Sequence, residues 1–129
     1  MTKIFVYGTL RKGGKNFKGA SLGEDRIVGK LYRLSWFPGV RDVRALFNEE
    51  GPYIIGEVYE ISEETFEQLD DYEGCSQDPT LENSGFYYRK QVQTENGEIA
   101  WVYIHSQEIP ENLRIYSGDW LEQGEKKCV

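Results

Sequence analysis

Hydrophobic and polar positions fall into several short runs of period two and one run with helical spacing. Lys3–Tyr7 (Lys-Ile-Phe-Val-Tyr) is β-branched and aromatic, which predicts a buried strand. Ile27–Leu34 alternates after its glycine and reads as a second strand. Ile54–Ile61 sets Glu57, Tyr59 and Ile61 against Val58 and Glu60, the pattern of a half-buried strand, with Gly56 marking a bulge or a close backbone approach. A short strand is expected around Ala45-Leu46-Phe47. Phe86–Thr94 and Glu98–His105 are two more, joined through Glu95-Asn96-Gly97, a strong hairpin signal. Between these runs, Lys15–Glu24 reads as irregular surface and Trp36-Phe37-Pro38-Gly39-Val40 as a bulky cluster at a Pro-Gly turn. Cys75–Gly85 reads as a mobile polar loop, Ile109–Trp120 has no period, and about 121–129 is a solvated tail.

The helical run opens at Ser62, a good N-cap followed by Glu63 and Glu64 at the positive end of the helix dipole, and ends near Gly74. Within it Phe66, Leu69 and Glu73 stand at i, i+3 and i+7, one face of a helix. Phe66 and Leu69 turn that face inward. Glu73 is then either a solvated residue of a frayed last turn or a carboxylate held where ionisation is costly, its pKa raised toward the range of a general base. The charges of Asp70 and Asp71 push the same way. Several strands with one helix inserted between them indicate an α+β domain: a small mixed, mostly antiparallel sheet curled into a β-barrel, with one main flanking helix. No repeat or linker divides residues 1–129, so a single domain is expected.

Composition narrows the partners. With 39% apolar and 14% aromatic residues the chain is globular in type. Fifteen basic against 22 acidic residues give a net charge of −7, which argues against nucleic acid and anionic membranes. No apolar run approaches about 20 residues and the start lacks a signal pattern, so a cytoplasmic protein is expected. Cys75, Cys128 and the sole histidine, His105, do not stand at metal-ligand spacing, so neither a structural metal nor a cofactor nor a disulfide scaffold is expected. A Cys–His nucleophile pair has little support for the same reason.

The first strand runs directly into Gly8-Thr9-Leu10-Arg11-Lys12-Gly13-Gly14. A strand that stops at glycine and enters a basic, Gly-rich loop offers backbone N–H groups in a concavity suited to an anion. The same residues also suit an ordinary strand-end turn, and they match neither a Walker nor a dinucleotide fingerprint.

Taken together, Phe5-Val6-Tyr7-Gly8-Thr9-Leu10-Arg11, Phe37-Pro38-Gly39, Gly56-Glu57-Val58-Tyr59, Leu69-Asp70-Asp71-Tyr72-Glu73-Gly74, Tyr87-Tyr88-Arg89, Trp101-Val102-Tyr103 and Ser117-Gly118-Asp119-Trp120 cover nearly the whole chain. In these stretches the chain resembles the γ-glutamylcyclotransferase-like superfamily, in particular its short AIG2-like and γ-glutamylamine cyclotransferase branches. The resemblance implies a small mixed β-barrel with helices at its flank. It also implies a reaction that cyclises a γ-glutamyl group to 5-oxoproline and releases the attached amine. Glu73 matches the family's catalytic acid, and Tyr7, Gly8, Thr9 and Leu10 match the loop that cradles the substrate carboxylate. Tyr87 matches the first tyrosine of a Tyr-x-Arg pattern and is a candidate hydrogen-bond partner of the substrate, with Tyr103 and Trp36 as weaker candidates for pocket wall.

This chemistry suits the residue inventory. A γ-glutamyl compound brings its own nucleophile, the α-amine, so the protein supplies orientation, an anion cradle and one proton-shuttling carboxylate. Two rival readings stand beside it: a catalytically silent small-molecule-binding module of the same fold, and a hydrolase using Glu73 with Asp70 or Asp71. The second fits poorly, because glycosidase carboxyls face each other across a cleft. The leaving amine and the oligomeric state are not legible in the chain.

Overall fold

The computed structural model describes residues 2–8, 19–34, 37–72 and 87–120, with residues 71 and 72 described by backbone only. In chain order the elements are β1 Thr2–Val6, β2 Ala20–Val28, β3 Lys30–Leu34, β4 Phe37–Arg41, β5 Tyr53–Ile61, α1 Glu63–Tyr72, β6 Tyr87–Gln93, β7 Ile99–His105 and β8 Arg114–Ile115, the last preceded by a 3-10 turn at Glu111–Leu113.

Five strands form one sheet in the order β2-β5-β1-β7-β6, and three form another in the order β4-β3-β8. All pairings are antiparallel except β1 with β7, which run parallel with Ile4 opposite Trp101. Among the described residues the expected mixed, mostly antiparallel α+β fold with one main flanking helix is therefore present, but the barrel is not. Among the described strands, β2 and β6 remain the two edges of the larger sheet, and no ladder of hydrogen bonds closes it.

The break occurs at Gly29, inside what the sequence suggests is one strand from Ile27 to Leu34. Gly29 donates its N–H to the Pro52 carbonyl at 2.9 Å. A Cβ there would lie 2.8 Å from Ile54 Cδ1 and 3.1 Å from Val43 Cγ2. The chain leaves the first sheet at this close approach and enters the second as β3.

Alternation along the strands sends side chains into two apolar layers. Phe5, Val58, Val102 and Ile104 meet Leu31, Val40 and Ile115 of the smaller sheet in one cluster. Ile4, Val6, Tyr59, Ile61 and Tyr103 meet Phe66 and Leu69 of α1 in the other. β5 is thus covered on both faces, not half-buried, and Gly56 is the price of its fit: a Cβ there would stand 2.2 Å from the Val6 carbonyl oxygen. α1 starts as expected, with Ser62 Oγ accepting the Thr65 N–H at 3.1 Å.

Three local expectations are corrected. The stretch before Glu24 is not irregular: from Ala20 it pairs with β5, as an edge strand carrying a bulge between Ser21 and Gly23, where Gly23 has φ of +102°. Its outer residues are exposed, so no apolar alternation is required. Pro38-Gly39 lies within β4 instead of at a turn; β4 is an edge strand, where a missing N–H costs no ladder bond. Ala45-Leu46-Phe47 forms no strand. Leu46 is 68% exposed, and Phe47 stacks on Tyr53 with ring centres 5.4 Å apart. The hairpin stands as expected, with Gly97 at φ +87°, and buried Asp25 accepts the Asn96 N–H of its turn at 3.1 Å. No described helix is long and apolar enough to cross a membrane.

Candidate functional site

Because β1 and β7 are parallel neighbours, both deliver their carboxyl ends to the same rim of the sheet. There the strand residues give way to Tyr7 and Gly8. Tyr7 is buried, and its hydroxyl donates to the Tyr103 carbonyl at 2.7 Å, which ties the end of β1 to β7. Gly8 sits against β4: a Cβ on it would come within 2.5 Å of Pro38 Cγ. The backbone can approach so closely only without a side chain.

Tyr87 at the start of β6 completes this corner. Its hydroxyl donates to the Pro38 carbonyl at 2.6 Å, and its ring meets His105 edge-on with centres 5.6 Å apart. Two of the residues singled out from the sequence, Gly8 and Tyr87, thus meet at Pro38, and a third, Tyr7, precedes Gly8 in the chain and is tied to Tyr103. The Tyr87 proton is committed to that carbonyl, so this phenol braces the Gly8 corner. Thr9, Leu10 and Glu73 lie outside the described residues, as do Arg11, Trp36 and the Cys75–Gly85 loop. Tyr103 is 4% exposed and belongs to the layer under α1.

Two carboxylates on the α1 face were not singled out as a pair of interest by sequence pattern. Glu57 is 6% exposed and accepts the Tyr59 hydroxyl at 3.1 Å. Its register opposite Val6 places it beside the last residue of β1. The signal was available, since Glu57 shares the period of Tyr59 and Ile61, and a carboxylate on an inward face needs hydrogen bonds to be tolerated.

Asp70, in the last turn of α1, is the other. Its Oδ1 accepts from the Tyr103 hydroxyl at 2.6 Å and from Arg89 Nε at 3.0 Å. The Asp70 and Arg89 side chains are each 15% exposed. The guanidinium also lies against two aromatic rings, 4.1 Å from the centre of Phe66 and 4.4 Å from that of Trp101. The Arg89 guanidinium thus offsets the Asp70 charge. The same bonds occupy Asp70 and argue against its use as the second carboxylate of a hydrolase.

Chemically, this rim joins a glycine corner, buried phenols and a buried carboxylate, which suits a small ligand bearing both anionic and cationic groups. A separate cleft of about 270 Å³, lined by Val28, Lys30, Asp42, Val43, Arg44 and Pro52, shares none of these residues.

Residues 4–122 match the family model described as gamma-glutamyl cyclotransferase, AIG2-like. A Vibrio cholerae protein provisionally named a gamma-glutamylcyclotransferase is 33% identical over 128 residues, covering 93% of this chain and 96% of its own. A gamma-glutamylaminecyclotransferase of Rattus norvegicus is 36% identical over 84 residues, 58% of this chain and 56% of its own. The crystal structure of an uncharacterized protein from Pyrococcus horikoshii superposes with a TM-score of 0.69 at 28% identity, covering 99% of this chain and 97% of that one.

Proposed function

The chain belongs to the gamma-glutamyl cyclotransferase, AIG2-like family, and from that premise we propose that it cyclises a γ-glutamyl group to 5-oxoproline and releases the attached amine. The observation that supports the reading is the corner at the common rim of β1 and β7, where Gly8 and Tyr87 meet Pro38 and Tyr7 is tied to Tyr103. In this reading the backbone N–H groups from Gly8 to Leu10 hold the α-carboxylate of the substrate, and the side-chain-free corner at Gly8 lets the ligand approach the main chain.

The α-amine attacks the γ-carbonyl carbon and closes a five-membered ring, while the bond from that carbon to the leaving nitrogen breaks. Glu73 takes the proton that the α-ammonium must lose and returns one to the leaving amine. One group in two protonation states serves both steps, and a positioned acid–base of this kind is worth roughly 10²- to 10⁴-fold in rate. Orientation of amine against carbonyl supplies the larger share, within the roughly 7–11 kcal/mol open to well-aligned intramolecular reactions. Substrates are small γ-glutamyl compounds of amines or amino acids.

The test is mass-spectrometric detection of 5-oxoproline from a panel of γ-glutamyl-amines and γ-glutamyl-amino acids. Wild type is expected to form it, and Glu73→Gln to form it roughly 10²- to 10⁴-fold more slowly with the fold intact. Wild-type turnover in Glu73→Gln would remove Glu73 from the mechanism. A thermal shift with the panel but no product from either protein would instead favour the silent binding module.

A further inference from the structure

The cleft of about 270 Å³ shares no residue with the Gly8 corner, and the reaction proposed above does not use it. It opens where β2 gives way to β3, with the end of β4 and the start of β5 beside it. Its floor is apolar: Val28 and Val43 are 2% and 9% exposed, and Pro52 joins them. Two main-chain bonds lock these segments together. Gly29 donates its N–H to the Pro52 carbonyl and Arg44 donates its N–H to the Val28 carbonyl, each at 2.9 Å. The walls are therefore in place before any ligand arrives, which lowers the cost of binding.

Three charged side chains complete the lining, Lys30, Asp42 and Arg44. Asp42 adopts φ of +56°, in the left-handed region that residues other than glycine seldom take and aspartate takes more readily than most. Its carboxylate stands 3.3 Å from Lys30 Nζ, longer than the roughly 2.7–2.9 Å of a tight charge-assisted bond. The Asp42 side chain is also 60% exposed, so acceptor capacity remains. Arg44 is exposed and forms no ion pair with the described residues. Two cations and one carboxylate give the lining a charge of +1, on a chain whose net charge is −7. An anionic group is drawn to that local excess.

We propose that this cleft binds a free α-amino acid with an apolar side chain. The ligand carboxylate meets Arg44, its ammonium meets Asp42, which Lys30 holds in place, and its side chain covers Val28, Val43 and Pro52. Size and charge together select this class. The volume corresponds to about nine waters at roughly 30 Å³ each, which admits a ligand with about that many non-hydrogen atoms. It lies below the roughly 300–1,000 Å³ of drug-sized and cofactor sites, so a nucleotide or coenzyme does not fit. A simple carboxylate would leave Asp42 facing a like charge, and a simple amine would face both Arg44 and Lys30. A zwitterion satisfies all three. The proposal does not depend on the reaction, although an amino acid is also what cyclisation of a γ-glutamyl-amino acid releases.

The experiment is an amide and methyl NMR titration of the whole chain with L-leucine, 4-methylpentanoate and 3-methylbutylamine. The last two keep the apolar part of leucine and lack its ammonium or its carboxylate. Leucine is expected to shift the resonances of Val28, Lys30, Val43 and Arg44 saturably, with a Kd of about 1–10 mM, the weak range of so small a ligand in an open cleft. Each truncated probe should bind about tenfold more weakly or worse, the cost of losing a hydrogen bond to a charged group. Arg44→Gln and Asp42→Asn should weaken leucine by a similar factor; asparagine also tolerates the left-handed backbone, so the fold is kept. Arg44→Lys should restore part of the affinity, since it keeps the charge and loses the fork.

No saturable shift at about ten times that concentration would overturn the proposal. So would equal binding of leucine by wild type and Arg44→Gln. Equal affinity for 4-methylpentanoate would replace the amino acid with a plain anion, and equal affinity for 3-methylbutylamine with a plain cation; either overturns the assignment without needing a variant. The titration does not read 5-oxoproline formation, so failure of the site and failure of the proposed reaction are told apart.

Discussion

Gly56 is a place where the architecture forgives little, and Gly56→Ala measures it. An added methyl would stand 2.2 Å from the Val6 carbonyl oxygen and 2.6 Å from Phe5 Cζ, against the roughly 3.5–4 Å of comfortable contact. Neither neighbour can rotate away: one is backbone and the other is a ring 1% exposed in the core. Relief therefore requires β1 and β5 to separate by about 1 Å, enough to stretch the ladder bonds flanking Val6 and Glu57 beyond useful length. Two such bonds at about 1 kcal/mol each, with about 1–3 kcal/mol for overpacking, give a loss of about 3–5 kcal/mol. That is a large part of the roughly 5–15 kcal/mol that holds a domain folded.

Gly23→Ala is the internal control. Gly23 has φ of +102° and open space where a Cβ would go, so only the backbone preference is lost, about 1–2 kcal/mol. Urea unfolding followed by tryptophan fluorescence and by circular dichroism gives both values, provided the two probes coincide. A smaller loss for Gly56→Ala than for Gly23→Ala would refute the steric argument. Because Val6 leads directly into Tyr7 and Gly8, the folded fraction of Gly56→Ala should also turn over substrate more slowly.

Two further predictions concern single bonds. Tyr87→Phe removes the donor to the Pro38 carbonyl and should cost about 1 kcal/mol by thermal unfolding, with a rise in KM as the Gly8 corner loosens; unchanged stability and KM would show that the bond braces nothing. The Arg26 guanidinium, bonded to Glu95 at 2.9 Å, holds that carboxyl below its ordinary value of 4.5. A depressed carboxylate contributes stability above its unfolded pKa and loses it as pH falls through its folded one. Urea midpoints of wild type should therefore fall more steeply below about pH 4.5 than those of Glu95→Gln, and parallel curves would sink the assignment.

The strands with an inward face were legible: β5 from its alternation, β1 from its β-branched and aromatic run, and β6 and β7 from the hairpin signal at Glu95-Asn96-Gly97. The helix followed from Phe66, Leu69 and the Ser62 cap. The first half of β2 was not legible, since an edge strand with exposed residues satisfies its backbone on β5 without any side-chain pattern. β4 was hidden because Pro38-Gly39 has the local preference of a turn and is overridden by pairing with β3. Closure of a barrel depends on whether strands far apart in sequence meet, and no local pattern encodes it. In the site, Tyr7 and Gly8 announced themselves as a strand ending at glycine. The Asp70–Arg89 pair did not, because its members lie on separate elements and each alone looks like a solvated surface charge.

The central position of β1 has a kinetic consequence. Its neighbours in the sheet are residues 53–61 and 99–105, so the strand that comes first in the chain order described here is flanked on both sides by segments made long after it. Closing such distant pairings carries a loop-entropy cost before any contact repays it, which places this topology among slowly folding, high-contact-order domains. While a ribosome is still adding the β6–β7 hairpin, Ile4, Phe5 and Val6 lack one of the two neighbours of β1 in the sheet, and it is then that the chain is most exposed to aggregation.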